Sequence, residues 1–158
     1  MNDGKKTKKI FTGTYYFNKY SVIVVTPHKS NNTLMSSNPF QYTKKLDDVF
    51  LNSLYEDDLE YAIISFEQFL KICPVQLNDI EESFKAGDID TFRNKIHKAK
   101  PIFSYVGLTT ITAKADAVEK MCLNINYLQQ VEDRYQEFKT CVAQLLPVVQ
   151  EELIRMKT

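Results

Sequence analysis

Residues 83–108 read SFKAGDIDTFRNKIHKAKPIFSYVGL, and this stretch decides the fold. Ile89, Phe92, Ile96, Ala99, Phe103 and Val106 recur at steps of three and four, which puts them on one face of an α-helix. Two glycines bracket the run. Gly87 suits the left-handed conformation that ends a preceding helix, and Asp88 can cap the next one. Gly107 plays the same part after Val106, with Thr109 or Thr110 as the expected cap of the succeeding helix.

The period extends in both directions. Upstream, Leu59, Ile63, Phe66, Leu70, Cys73, Leu77, Ile80 and Phe84 keep the rule. Downstream, Leu108, Ile111, Ala115, Val118, Cys122 and Ile125 form one stripe, and Val131, Tyr135, Phe138, Val142, Leu145, Val149, Leu153 and Met156 form another. A helix with one apolar stripe must bury it. Four such helices with short connections predict an all-α fold, an antiparallel four-helix bundle. Leu46, Val49, Phe50 and Leu54 add a short extra N-terminal helix. Proline inside a helix costs about 3 kcal/mol. The register nevertheless runs through Pro74 from Cys73 to Leu77, so one long bent helix from about Asp57 to Ala86 is expected, with two helices as the alternative. Asn126 with Gln129 reads as a capping box before the last helix.

Charge divides the chain. Residues 1–44 hold seven lysines against Asp3, whereas residues 45–158 hold 13 basic and 19 acidic residues, so the net zero conceals +6 and −6. The stretch from Thr26 to Pro39, TPHKSNNTLMSSNP, has linker composition. Charge and composition together place a boundary near Tyr42: residues 1–42 are a basic, loosely ordered N-terminal segment, and residues 43–158 form the bundle. Tyr15 to Val25 is strand-like but has no partner strand.

Whole-chain composition narrows the function. The 158 residues are 44 % apolar and 25 % charged, enough for one domain with a real core. No apolar run approaches the roughly 18 residues a membrane span needs, and Val22 to Val25 is too short for a signal-peptide core. Cys73, Cys122 and Cys141 are odd in number and widely spaced. They suit structural thiols in a reducing cytoplasm, not a disulfide framework or a zinc motif. His28 and His97 are the only histidines, which argues against a multi-histidine metal site. No glycine-rich phosphate loop is present, so no nucleotide site and no independent enzyme is expected. The acidic clusters Asp47-Asp48, Glu56-Asp57-Asp58 and Glu151-Glu152 fall near expected helix termini and need no catalytic role.

The chemical signal is His97. It lies one residue beyond Ile96, about 100° around the helix, and so leaves the buried stripe. Arg93, Lys100, Pro101 and Ser104 share its face by their spacing. From Thr91 to Ala115 there are five basic residues, Arg93, Lys95, Lys98, Lys100 and Lys114, and no acidic one. An exposed imidazole amid positive charge is suited to meeting an anion. Its reference pKa of about 6.5 leaves a nucleophilic lone pair near pH 7, and lysines nearby disfavour its protonation.

These residues resemble the motif of the histidine-containing phosphotransfer (HPt) domains. In that family a histidine is followed after two residues by Lys-Gly, and a further glycine lies ten residues after the histidine. His97, Lys100 and Gly107 stand in that register, in HKAKPIFSYVG, and SFKAGDIDTFRNKI resembles the family's lead-in. The resemblance covers about Tyr55 to Leu153. Pro101 departs from it, standing where the family has the glycine that lets a partner approach.

The resemblance implies a phosphorelay intermediate of a two-component system. His97 would exchange a phosphoryl group with receiver-domain aspartates, and Lys100 would stabilise it. Arg93, Lys98, Pro101 and Ser104 would contact the partner, while Gly87 and Gly107 shape the turns. Receiver domains of response regulators, and a hybrid histidine kinase, are the implied partners, with magnesium held by the receiver and no cofactor or metal held by this chain. A cytoplasmic monomer that binds no nucleic acid completes this expectation. A non-transferring helical module that docks signalling domains is the alternative, with Pro101 as its support. Binding of nucleic acid or membrane through the basic tail is a third reading, one that predicts steep salt dependence.

Overall fold

The computed structural model describes residues 40–158, which fall within the unit Asn38–Thr158. The expectations for the basic start, the strand-like stretch and the linker lie outside the described residues. The described residues contain five α-helices and no strand: α1 (Asp48–Tyr55), α2 (Leu59–Lys85), α3 (Ile89–Ser104), α4 (Thr109–Met121) and α5 (Glu132–Met156). Two short 3-10 turns, Cys122–Asn124 and Leu128–Val131, join α4 to α5.

The stripes form the core. Phe66, Cys73 and Ile80 of α2, Phe92, Ile96, Ala99 and Phe103 of α3, Ile111, Ala115 and Val118 of α4, and Tyr135, Phe138, Val142 and Val149 of α5 are all buried. Packing is cyclic: α3 lies against α2 and α4, and α5 against α4 and α2, with α1 set on α2. The contacts 97–119, 100–116 and 104–112 rise along α3 as they fall along α4, so these two helices run antiparallel. An aromatic cluster ties α2, α3 and α5 together. The ring of Phe84 lies 5.3 Å from that of Phe92 and 4.7 Å from that of Tyr135, and Phe103 meets Phe138 at 5.7 Å.

The helix α2 is continuous through Pro74, as are α3 through Pro101 and α5 through Pro147. All three prolines are exposed, and each leaves the carbonyl four residues earlier without its helical donor. Asp47, Asp58 and Asp88 cap α1, α2 and α3 through side-chain bonds to Phe50, Tyr61 and Thr91 amides of 3.0, 2.9 and 3.0 Å.

Two local expectations are corrected, and a third residue differs in its burial. Neither Thr109 nor Thr110 caps α4; its N-cap is Leu108, which has no side-chain bond to give. Thr109 instead donates to Asp47 Oδ2 at 2.8 Å, because Asp47 is brought beside it by the bond from its own amide to the Gly107 carbonyl, 2.8 Å. No side chain caps α5, whose N-cap is Val131; the capping box belongs to the 3-10 turn Leu128–Val131 and uses Gln130, not Gln129, with Gln130 Oε1 accepting from the Asn126 and Tyr127 amides. Finally, Glu152 lies near the end of α5 as expected, but it is no solvated charge. It is buried, 1 % exposed, and accepts the Thr43 amide at 2.8 Å while pairing with Arg155.

The Glu152 contact anchors the segment before α1. Tyr42 and Leu46 are buried, and Arg155 donates to the Gln41 carbonyl at 3.1 Å and covers the ring of Phe40. Phe40 and Gln41 therefore pack with the end of α5. Gly107 is a further anchor. Its φ is +72°, and a Cβ there would lie 2.8 Å from Leu51 Cδ1 and 3.2 Å from the Asp47 amide nitrogen. Only glycine fits both the backbone conformation and the approach of α1. Gly87, with φ +73°, has open space around it, so only its conformation favours glycine.

Candidate functional site

The outer face of α3 carries the candidate site. Ile96 and Phe103 face the core, and the His97 side chain, next to Ile96, is 65 % exposed. Its Nδ1 lies 2.9 Å from Glu119 Oε1 on α4. Burial of Glu119 works against its charge, but Lys100 and His97 outweigh burial and hold the carboxyl below its ordinary value. An ionised carboxylate only accepts hydrogen bonds, so Nδ1 carries the proton and donates it. In the neutral ring the lone pair then belongs to Nε2, the nitrogen that Glu119 does not engage.

Lys100 is recessed, with 18 % of its side chain exposed. Its Nζ donates to Asp116 Oδ1 at 2.9 Å and stands 2.6 Å from Glu119 Oε2. Burial opposes the ammonium charge, but the two carboxylates prevail and raise its pKa above the ordinary lysine value. Asp116 Oδ2 in turn meets Lys120 Nζ at 2.6 Å. Hydrogen bonds from Lys120 and Lys100 bring the Asp116 carboxyl down to about 2. One carboxylate, Glu119, thus touches both the imidazole and the ammonium. The result is a chain of alternating charge, Lys120–Asp116–Lys100–Glu119, ending on His97.

This arrangement corrects the electrostatic expectation. The sequence from Thr91 to Ala115 lacks acids, but Asp116 and Glu119 lie just beyond it, and the antiparallel pairing folds them back onto α3. The group that contacts the ring is a carboxylate and not a lysine, and the charge of Lys100 is balanced. Glu119, Asp116 and Lys120 were missed because α3 was read alone. Pairing α3 with α4 about the Gly107 turn matches residue 97 with 119 and 100 with 116, which is the signal that finds them.

The other expected residues are distributed around this centre. Arg93, one turn before His97, approaches Asp90 at 3.5 Å and keeps 31 % of its side chain exposed. Lys98 and Pro101 are exposed beside His97. Ser104 turns toward α4, where its hydroxyl meets that of Thr112 at 3.0 Å. Two apolar side chains are exposed just beyond the paired helices, Tyr105 after α3 and Leu123 after α4. The site is an open surface: a cleft of about 260 Å³ lies elsewhere, between residues 44–47 and the start of α4.

Comparison with models of known families, with curated proteins and with solved structures finds no match for this chain. Among the described residues no three His, Cys, Asp or Glu side chains cluster so as to hold a metal ion. Nor is any helix there long and apolar enough to cross a membrane. Cys73 and Cys122 are buried and Cys141 is half-buried; burial pushes the Cys73 thiol up to about 12, so it is an inert packing group.

Proposed function

We propose that this chain is a phosphorelay intermediate, an HPt-like antiparallel four-helix bundle that carries a phosphoryl group on His97. The observation that carries the reading is the exposed imidazole whose Nδ1–H is held by Glu119, which leaves Nε2 as the outward nucleophile. The Nε2 lone pair attacks the phosphorus of a receiver's aspartyl phosphate. The N–P bond forms as the P–O bond breaks, and the aspartate carboxylate departs with that electron pair. Positive charge that develops on the ring is offset by Glu119, and Nδ1 keeps its proton throughout. Donation to the next receiver is the reverse.

On this reading Lys100 pairs with the phosphoryl oxygens, and Arg93, Lys98, Pro101 and the exposed Tyr105 and Leu123 meet the receiver. The receiver supplies magnesium and the catalytic groups, so this chain is a carrier and no enzyme in its own right. It acts in the cytoplasm as a monomer, its stripes being satisfied internally. Balanced charge at Lys100 and the proline at position 101 favour a second reading, a docking module that has lost transfer.

Transfer of label from a phosphorylated receiver of the same organism separates the two. Acid-labile, base-stable label on the wild type and none on His97→Ala is the expected result. Absence of label from a folded wild-type chain, across the organism's receivers, moves the reading to the docking module.

A further inference from the structure

The Asp116 carboxylate sits where the proposed reaction has no use for it. Lys100 must turn its charge toward a phosphoryl group on His97, yet its Nζ is engaged by Asp116 Oδ1 at 2.9 Å and Glu119 Oε2 at 2.6 Å. An ammonium has three donors in all. Glu119 also holds His97 and so belongs to the nucleophile. Asp116, among the described residues, forms its ion pairs with Lys100 and Lys120 alone. Before phosphorylation these two lysines and two carboxylates balance. A phosphoryl group adds about 1.5 to 2 negative charges beside them.

We infer that Asp116 is a positioning residue that competes with the phosphoryl group for Lys100 and so limits how strongly His97 retains that group. The inference rests on the phosphorelay reading. In the resting chain Asp116 holds Lys100 back against α4; once the phosphoryl group is on Nε2, Lys100 is shared between it and Asp116. A carrier must release its cargo as readily as it takes it, and a lysine bound to the phosphoryl group alone would hold it too tightly. Lys120, 73 % exposed, neutralises the opposite edge of Asp116 and weakens its claim on Lys100.

The test uses the full chain and phosphoramidate, a small donor that needs no receiver. His97 Nε2 bonds to phosphorus, and the P–N bond of the donor breaks to release ammonia with its electron pair. The equilibrium constant is read by 31P NMR, approached from both sides by adding donor or ammonia. Asp116→Asn should raise it about threefold and Lys100→Ala lower it by a similar factor, the worth of one partly exposed ion pair. Asp116→Ala should move it in the same direction as Asp116→Asn. In a Lys100→Ala background Asp116→Asn should do nothing, since the two residues act as a pair. An unchanged constant in Asp116→Asn, or an equal rise with Lys100 absent, overturns the inference while the relay reading stands. No phosphohistidine on the folded wild-type chain overturns both.

Discussion

At the scale of single residues, the geometry assigns His97 and Glu119 complementary parts. Glu119 fixes which ring nitrogen is free, so removing it leaves the nucleophile present but unoriented. Glu119→Ala should slow phosphoryl uptake about tenfold, roughly 1.4 kcal/mol of barrier, and Glu119→Gln, which retains an acceptor, should lose less. Single-turnover rates with a phosphorylated receiver measure both. Asp116 supplies a pH signature. Its folded pKa of about 2 lies below its ordinary 3.8, so its pairing stabilises the fold fully above pH 3.8 and is lost as pH falls toward 2. Thermal melts between pH 5 and 2 should therefore decline less steeply for Asp116→Asn than for the wild type. His97 and Lys100 are legible in the sequence as neighbours because both lie on one helix, α3. Glu119 and Asp116 are not legible there, because their contacts depend on which turn of α4 faces α3.

Among the elements, α1 and the segment before it are held by contacts that local periodicity does not reveal, at Glu152 and at Gly107 among them. At Gly107, φ is positive and α1 approaches closely, so Gly107→Ala should cost about 3 kcal/mol, conformational strain plus overpacking against Leu51. Gly87→Ala, with open space around it, should cost about 1 kcal/mol. Urea denaturation of the two variants separates the terms. Both glycines were legible as helix terminators from their place between stripes. The packing role of Gly107 was not, since the residue it would clash with lies over fifty positions earlier. Helix caps divide in the same way. Asp88 follows from sequence, while Thr109 and Gln130 are decided by Asp47 and by the 3-10 turn.

For the whole molecule, the stripes were sufficient to foretell an all-helical core, because a period of three and four has one physical solution when few glycines interrupt it. Buried Glu152 was illegible, since paired glutamates in a charged C-terminal helix look solvated until the chain before α1 is laid across them. Its loss leaves the Thr43 amide without its acceptor and Arg155 with the Gln41 carbonyl alone, and Glu152→Ala should lower stability by about 3 kcal/mol in denaturant unfolding. The His97 face lies on the other side of α3 from the aromatic core, so chemistry there should change little when Glu152 is replaced, provided the chain stays folded. The central claim is that Glu119 holds Nδ1 of His97 and leaves Nε2 to take the phosphoryl group. It is tested most directly by 15N NMR of the imidazole before and after phosphorylation. The expected result is a proton on Nδ1 in the free neutral ring and an N–P coupling at Nε2 afterwards; phosphorus on Nδ1, or no N–P bond at His97, would contradict it.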